Sequence, residues 1–533
     1  MMVTKAPRRL LPRLRARTTW VAVIAAATVT LVGGCSSSMF MQDPWEAIPK
    51  ATPDEVAKLH PPEALRADLD AIVALHERTC PKPYLRVSKE SIAALTARLK
   101  ASIDRPMTRR EFLPLVMELQ AAYRSDHFGM GVPSEELGAA LARGERLLPF
   151  RAAPKDDGLV VIAVAESERA IEPGDTIVRI GNRSAADHLA KLRLLEPEET
   201  ARTRDVSVRE SFRTLSWVTG VSLPTEVELI RPDGSRQTVT VAGVDDGARK
   251  TERTAPVGAA VGASASPKGE LLVDSPPFRC ILLQGDAPEA AVVAPIALIS
   301  FPSMSGPLGG QWDRFLDESI AIVNARGAAG IVVDIRGNSG GSSNLGDALL
   351  ARLTDRPYRN ASRVVWRRSE ESDELFRMKA KPMWRWLTIV LPIFMPEYTR
   401  LQHGEDLTYE SEANEHPRVE PRFDGPTCLL IGEGTHSSAM MLADAARTYD
   451  LMLTIGQPTG GVPNALGDIG PFPLPNSRIV VPFSQKLFVR ASGDESDLGP
   501  LRPHIEVAPV PGRDAALERA IVELRRIGAE RRK

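Results

Sequence analysis

Short apolar segments alternate with amphipathic segments in the second half of the chain. Ile296–Phe301 and Ile331–Ile335 are runs of mostly aliphatic residues, which are typical of buried strands. The segment between them repeats apolar residues at helical spacing: Trp312, Phe315, Leu316, Ile320 and Val323. The same alternation returns over residues 428–455. Because alternating strands and helices bury a largely parallel sheet between helices, we predict an α/β domain with its functional residues at the carboxyl ends of the strands.

The rest of the 533-residue chain divides into segments of different pattern, as a chain of this length leads us to expect. Residues 52–146 carry apolar side chains at helical spacing and predict a helical N-terminal domain. Residues 147–243 contain short alternating runs with turn signals and predict a β-rich domain. Residues 244–277 are rich in Ala, Gly, Ser, Thr and Pro, which indicates a low-complexity linker. The α/β domain then occupies residues 278–533.

A hairpin-like motif lies within the β-rich segment. Gly174-Asp175, followed by Ile180-Gly181-Asn182, resembles the hallmark of PDZ domains, and an insertion rich in Arg and Glu comes after Asn182. Glycine and asparagine also suit any hairpin at these places, because both tolerate positive φ. The resemblance implies a PDZ-like domain over residues 147–243. Such a domain would bind a polypeptide substrate by strand addition and read its C-terminal carboxylate.

The N-terminus has the pattern of a secretion signal. The first 34 residues carry six basic side chains and no acidic one, and the apolar run within them is too short to span a membrane. Small residues directly before Cys35 resemble the lipobox of bacterial lipoproteins. We therefore interpret residues 1–34 as a lipoprotein signal peptide, Cys35 as the lipidation site and residues 35–51 as a tether. The alternative is ordinary cleavage near Gly34 that leaves a free cysteine.

Charge and cysteine content exclude several classes of protein. With 67 Lys and Arg against 68 Asp and Glu, the formal charge is -1, so no overall basic balance indicates a nucleic-acid partner. Cys80, Cys280 and Cys428 lack metal-binding spacing, and their odd number argues against a disulfide framework. A bridge between Cys80 and Cys280 stays open. We expect no metal and no cofactor.

Two loops of unusual composition follow predicted strands. Asp334–Gly341 contains three glycines, which let backbone amides converge on a substrate as an oxyanion hole requires. In the segment Gly432–Ala439, Ser437 and Ser438 open a predicted helix, whose first amides stabilise negative charge. Taken singly, the first loop is better explained as a structural glycine turn and the second as an ordinary serine N-cap.

Together these motifs resemble those of the C-terminal processing, or tail-specific, serine peptidases. The family relatives are the tricorn protease core and the interphotoreceptor retinoid-binding proteins. The family pattern D-L-R-G-N-x-G-G matches Asp334–Gly341, a Ser-rich helix start matches Thr435–Ala439, and G-E-P-T-G-G-x-P-N matches Gly456–Asn464. The resemblance spans about residues 60–525. It implies a catalytic α/β domain of the crotonase-like and ClpP-like type over residues 278–533.

The resemblance also implies roles for individual residues. The nucleophile aligns with Ser437, with Ser438 as the near alternative. The amides of Gly340, Gly341 and Ser438 would stabilise the oxyanion. These roles imply acyl transfer through a covalent intermediate.

The general base separates two branches of the family. Many tail-specific proteases place a lysine after the G-E-P-T turn, where this chain has residues 460–463 without one. The tricorn-like branch uses a histidine before the PDZ-like domain instead, and His127 occupies that context. The acid that would orient this histidine aligns with Asp497, with Asp494 and Glu495 as alternatives.

The sequence therefore predicts a lipid-anchored serine endopeptidase of the bacterial cell envelope, held at the outer membrane and facing the periplasm. The alternative is a non-proteolytic envelope protein that binds a ligand or peptide on the same fold. In that case the apolar run over residues 383–395 would line its site. Core packing, a lid and a membrane-resting surface are the other interpretations of this run.

Overall fold

The structure is a computed structural model that describes residues 42–245, 251–254, 268–283, 294–382, 395–415, 419–510 and 512–531. The signal peptide, residues 35–41 of the tether (Cys35 included) and residues 383–394 of the apolar run lie outside the described residues. Within the described residues, no helix is both long and apolar enough to cross a membrane.

The strands of the described residues are β1 Phe150–Lys155, β2 Gly158–Ala165, β3 Thr176–Ile180, β4 Arg183–Ser184, β5 Thr225–Ile230, β6 Arg236–Val241, β7 Glu252–Thr254, β8 Gly269–Ser275, β9 Phe278–Leu283, β10 Ile296–Ser300, β11 Gly330–Asp334, β12 Arg363–Arg367, β13 Asp406–Glu410, β14 Thr427–Ile431, β15 Leu453–Gly456, β16 Ala465–Pro473, β17 Val480–Val489 and β18 Ile505–Glu506.

The α-helices are α1 Pro53–Ala57, α2 Pro62–Thr79, α3 Lys89–Ala101, α4 Arg109–Ala121, α5 Ser134–Ala142, α6 Ala185–Leu194, α7 Ala201–Val218, α8 Gly309–Ala325, α9 Ser343–Leu353, α10 Glu370–Lys379, α11 Pro396–Arg400, α12 Ser437–Thr448 and α13 Ala515–Glu530.

A seven-stranded sheet in the order β18-β15-β14-β11-β10-β9-β8 holds the loops of interest. Strands β10, β11, β14, β15 and β18 are parallel, and β9 and β8 add an antiparallel edge. Alternate residues of each strand point to opposite faces, so Ile331 and Val333 pack against α8, α9 and α12, whereas Val332 packs against α13. The predicted mixed α/β fold with a largely parallel sheet is confirmed.

The N-terminal helices pack on a four-stranded antiparallel sheet in the order β13-β12-β17-β16. Capping boxes at Thr52 and Thr108 begin α1 and α4. Asp68 on α2 is buried and accepts hydrogen bonds from the amides of Asn476 at 3.0 Å and Ser477 at 2.8 Å. This contact joins the N-terminal helices to the C-terminal third of the chain.

The remaining sheet is antiparallel in the order β1-β2-β3-β5-β6, with β4 paired to β3 and β7 paired to β2. The insertion after Asn182 forms α6 and α7, which the sequence analysis did not predict. Apolar side chains on one side of α7, such as Val208 and Phe212, are buried against this sheet. The PDZ-like assignment of this region stays a prediction.

Two details of the sequence analysis need correction. The predicted linker over residues 244–277 contains β7 and β8, because each of these strands pairs with a sheet despite the small-residue composition nearby. The open alternative of a disulfide is also decided, since Cys80 and Cys280 are free thiols. Burial raises the pKa of Cys80 to about 12 and that of Cys280 to about 11, which disfavours the reactive thiolate at both. The other domain boundaries remain predictions.

Candidate active site

Two neighbouring strands bring the predicted loops together. Strands β11 and β14 are parallel partners, with Asp334 opposite Leu430, so the loops that follow them leave the same edge of the sheet. The His436 amide donates to the Asn338 carbonyl at 3.0 Å, and the Thr435 hydroxyl donates to the Ile335 carbonyl at 2.9 Å. The glycine loop, residues 334–341, and the serine loop, residues 432–439, therefore form one site at the carboxyl edge of the sheet.

Ser437 is the first residue of α12 and has a strained backbone. Its φ of 47° lies in the left-handed region, which residues other than glycine rarely adopt. Gly340 packs directly against it, because a Cβ at position 340 would lie 2.7 Å from the Ser437 Cβ. The Ser437 hydroxyl has no hydrogen-bond partner among the described side chains and lines a cavity of about 310 Å³. Strain of this kind concentrates at functional sites.

The neighbouring Ser438 is placed differently. Its hydroxyl donates to the Gly341 carbonyl at 2.7 Å, and the residue is buried. The hydroxyl of Ser438 is thus engaged in holding the two loops together. The geometry favours Ser437 over Ser438 as the nucleophile.

Two of the three predicted oxyanion donors are free to act. The amide of Gly340 donates to the Asn338 side chain at 2.9 Å, so it is engaged and its role as a donor needs correction. Within the described residues, the amides of Gly341 and Ser438 have no protein acceptor, and both belong to the loops that meet at Ser437. Gly340 instead supplies the close approach of the glycine loop, with φ at 96°.

His127 lines the same cavity as Ser437. It lies on a 3₁₀ turn, Asp126–Phe128, that follows α4 and packs against β16 and β17. Its Nδ1 atom is buried and has no hydrogen-bond partner within the described part of the chain. Burial lowers the pKa of His127 below its usual value, while the charge of Asp126 raises it and that of His436 lowers it. The imidazole is therefore neutral at neutral pH, as a general base must be.

The structure does not bring Asp497 to His127. The guanidinium of Arg490 binds the Asp497 carboxylate, and the amide of Gly499 donates to it at 3.0 Å. Arg490 is itself held by the buried carboxylate of Asp444 at 2.9 Å. Because this anchored arginine draws Asp497 away from the cavity, the predicted third member of the triad needs correction.

The two alternatives to Asp497 are engaged elsewhere as well. Glu495 forms an ion pair with Lys82 at 2.9 Å, and Asp494 accepts a hydrogen bond from the Ser496 amide at 2.9 Å. Both side chains are exposed, and neither lines the cavity. The carboxylate that acts electrostatically on His127 is its own neighbour, Asp126.

Further carboxyl groups come from the insertion after β4. Glu196 and Glu199, in the segment between α6 and α7, line the cavity together with Asp126. Burial, aided by the charge of Asp126, raises the pKa of Glu196 to about 8 and that of Glu199 well above its usual value. The sequence analysis missed both residues, because it treated the insertion only as an interruption. The excess of charged residues in this insertion was the sequence feature that could have indicated a part in the site.

The same insertion is bound to the serine loop through ion pairs. Arg202 and Arg209 on α7 contact the Glu433 carboxylate at 3.0 Å and 3.2 Å. His436 is held within that loop, with its Nε2 atom 3.0 Å from the Glu433 carbonyl oxygen and its Nδ1 atom 3.5 Å from an Asp126 carboxylate oxygen. The insertion therefore forms one wall of the cavity around Ser437.

We predict that Lys486→Ala leaves turnover intact and lowers the melting temperature. Lys486 is the only lysine between Ser437 and the terminal Lys533, so it is the one downstream candidate for a lysine base. Its Nζ atom is engaged elsewhere, however, because it lies 2.8 Å from an Asp468 carboxylate oxygen and 4.0 Å from the centroid of the Trp366 ring. Loss of this charge-assisted contact should cost roughly 1–3 kcal/mol. Thermal unfolding and peptide hydrolysis measure the two effects.

Lys379 provides the matched control, because it binds the same Asp468 carboxylate at 2.6 Å from another direction. Lys379→Ala should therefore lower the melting temperature in the same way. A loss of turnover in Lys486→Ala at an unchanged melting temperature would contradict the prediction and would assign Lys486 to the chemistry.

The fold is that of an S41 peptidase domain. Residues 295–507, about two fifths of the chain, match the family model described as Peptidase family S41. A comparison with curated protein sequences found no match.

Crystal structures of CPAF have a similar fold. A CPAF mutant superposes with a TM-score of 0.60 at 15% identity, over 88% of this chain and 95% of that one. Mature CPAF complexed with lactacystin superposes with a TM-score of 0.58 at 17% identity, over 88% and 98% of the two chains. The likeness in fold therefore extends beyond the S41 domain into the N-terminal half.

Proposed function

We propose that this protein is a serine peptidase that cleaves polypeptides through an acyl-enzyme, with Ser437 as nucleophile and His127 as general base. The observation that carries the proposal is that these two residues, far apart in the sequence, line one cavity at the carboxyl edge of a parallel sheet. The match of residues 295–507 to Peptidase family S41 supports the same chemistry.

In this mechanism, Nε2 of His127 accepts the proton of the Ser437 hydroxyl as the oxygen attacks the scissile carbonyl carbon. The amides of Gly341 and Ser438 stabilise the oxyanion that forms. The imidazolium then protonates the leaving amine, and water hydrolyses the acyl-enzyme with the same base. The carboxylate of Asp126 stabilises the imidazolium, since its charge raises the pKa of His127.

Labelling with a fluorophosphonate probe tests this function, because only an activated serine reacts readily with such a reagent. We expect the protein to be labelled, and peptide mass spectrometry to map the label to Ser437. Labelling at Ser438 would reassign the nucleophile. Absence of labelling, together with no hydrolysis of an unfolded protein substrate, would refute the proposed function.

We further propose that Cys35 carries a lipid that holds the enzyme at the cell envelope. The proposal is supported by the basic and apolar N-terminal segment that ends in small residues before this cysteine. Reading of a substrate C-terminus would belong to the β-rich region, because its Gly174-Asp175 and Ile180-Gly181-Asn182 motif resembles that of PDZ domains, which bind terminal carboxylates.

Cys35→Ala is expected to move the protein from the membrane fraction to the soluble fraction of the envelope, because without lipid the described part of the chain has no helix that could span a membrane. Fractionation followed by immunodetection measures the shift. Cys80→Ala is the matched control, since that buried thiol lies 45 residues after Cys35 in the sequence and outside the lipobox-like segment. Wild-type protein in the soluble fraction would contradict the anchor.

A further inference from the structure

The cavity beside Ser437 is rich in carboxyl groups. Asp126, Glu196 and Glu199 all line it. Glu199 is only 7% exposed, and its buried Oε1 atom has no hydrogen-bond partner within the described residues. A buried acceptor without a partner is costly unless a ligand supplies a donor.

The nearby cations are mostly engaged elsewhere. Arg86 lowers the pKa of Glu199 by its charge, but its guanidinium donates to the carbonyls of Leu498 at 2.8 Å and Asn464 at 3.4 Å. Arg202 and Arg209 bind Glu433. Among the described residues, Arg86 is thus the cation that acts on Glu199, and its charge also acts on Asp126.

We propose that this cavity binds a lysine or arginine side chain next to the scissile bond, so that the enzyme cleaves beside basic residues. The proposal rests on the proposed function and names its substrate class. An ammonium or guanidinium group would donate to the free oxygen of Glu199 and to Glu196, within the cavity that Ser437 lines. The wall formed by the insertion after β4 would therefore determine specificity.

Release of a proton from the Glu196 carboxyl makes the preference for a basic side chain depend on pH. Burial raises the pKa of Glu196 to about 8, so at neutral pH this carboxyl holds a proton. A bound cation favours the ionised carboxylate and displaces that proton. The affinity for a basic side chain should rise as pH increases towards 8, whereas the affinity for a neutral analogue should not.

The experiment compares internally quenched peptides that differ only by arginine or its neutral isostere citrulline at each position flanking the scissile bond. At the preferred position we expect kcat/KM to be about tenfold higher for arginine, because hydrogen bonds to a charged group are roughly twice as strong as neutral ones. The ratio should increase between about pH 6 and pH 8. Taking a ratio at each pH cancels the titration of His127, which both peptides share.

Glu196→Gln and Glu199→Gln should each reduce the ratio of arginine to citrulline towards one. Glu198→Gln is the matched control, because Glu198 lies between them but pairs with Arg204 at 2.8 Å and does not line the cavity. This variant should keep the ratio. Fluorophosphonate labelling of each variant shows that its site is intact.

Cleavage of both peptides at equal rates, with normal probe labelling, would refute the specificity and leave the peptidase function standing. An arginine preference that persists in both glutamine variants would also refute it, because another part of the protein would then recognise the charge. No cleavage and no labelling would instead refute the proposed function, and this inference with it.

Discussion

Ser437→Ala and His127→Ala are each expected to lower kcat/KM by a factor of about 10³ or more, since members of one catalytic unit fail together. Without the Ser437 hydroxyl no acyl-enzyme forms, and without His127 the hydroxyl keeps its proton at neutral pH. Both residues line the same cavity, and neither side chain has a hydrogen bond that the fold depends on among the described residues. Hydrolysis rates and thermal unfolding of purified variants test this expectation.

Ser438→Ala and His436→Gln are the matched controls. The Ser438 hydroxyl donates to the Gly341 carbonyl, and both ring nitrogens of His436 face partners, so their loss should cost far less than the loss of Ser437 or His127. Full activity in His127→Ala, or a loss in His436→Gln as large as that in His127→Ala, would overturn the assignment of the base.

The pH profile adds an independent check on the base. A histidine base must be neutral to act, so kcat/KM should rise with pH through the pKa of His127, which burial places below its usual value. Asp126→Asn removes the charge that raises this pKa, so the acid limb should move to lower pH. A shift of that limb to higher pH would contradict the electrostatic effect of Asp126 on His127.

The parallel sheet and the meeting of its two loops could be predicted because both depend on local pattern. Buried strands such as β11 and β14 appear as short aliphatic runs, and parallel strands place their carboxyl ends at one edge. The glycines at positions 340 and 341 and the serine at 437 follow those strands directly. Chain order alone therefore brings this half of the site together.

The acidic part of the site could not be predicted in this way. Asp497 sits where the family pattern places an acid, but the long-range contact of Arg490 with Asp444 and Asp497 holds it outside the cavity. Glu196 and Glu199 line the cavity in a segment directly before α7, which Arg202 and Arg209 bind to Glu433 in the serine loop. Such contacts depend on the packing of segments that are distant in the sequence, and the spacing of residues within one segment does not predict them.

Gly340→Ala, in the glycine loop, is expected to lower kcat/KM by a factor of about 10². This is the second large effect that we predict. The new Cβ would lie 2.7 Å from the Ser437 Cβ and 2.8 Å from the Ser438 amide nitrogen, and alanine is disfavoured at a φ of 96°. Ser437 would have to move, and a displacement of about 1 Å at a reacting atom costs about 10² in rate. The variant should lose less thermal stability than Gly341→Ala, because its closest contact is 2.7 Å rather than 2.1 Å.

Two other glycines in the same loop make the prediction specific. At Gly341, whose φ is 137°, a Cβ would lie 2.1 Å from the Met304 carbonyl oxygen, so Gly341→Ala should lower both activity and melting temperature. At Gly337 a Cβ would meet nothing within 4 Å, so Gly337→Ala should retain both. Hydrolysis rates and thermal unfolding of the three variants separate a displaced nucleophile from a damaged loop. If Gly340→Ala were as active as Gly337→Ala, the close packing of the glycine loop on Ser437 would not matter for catalysis.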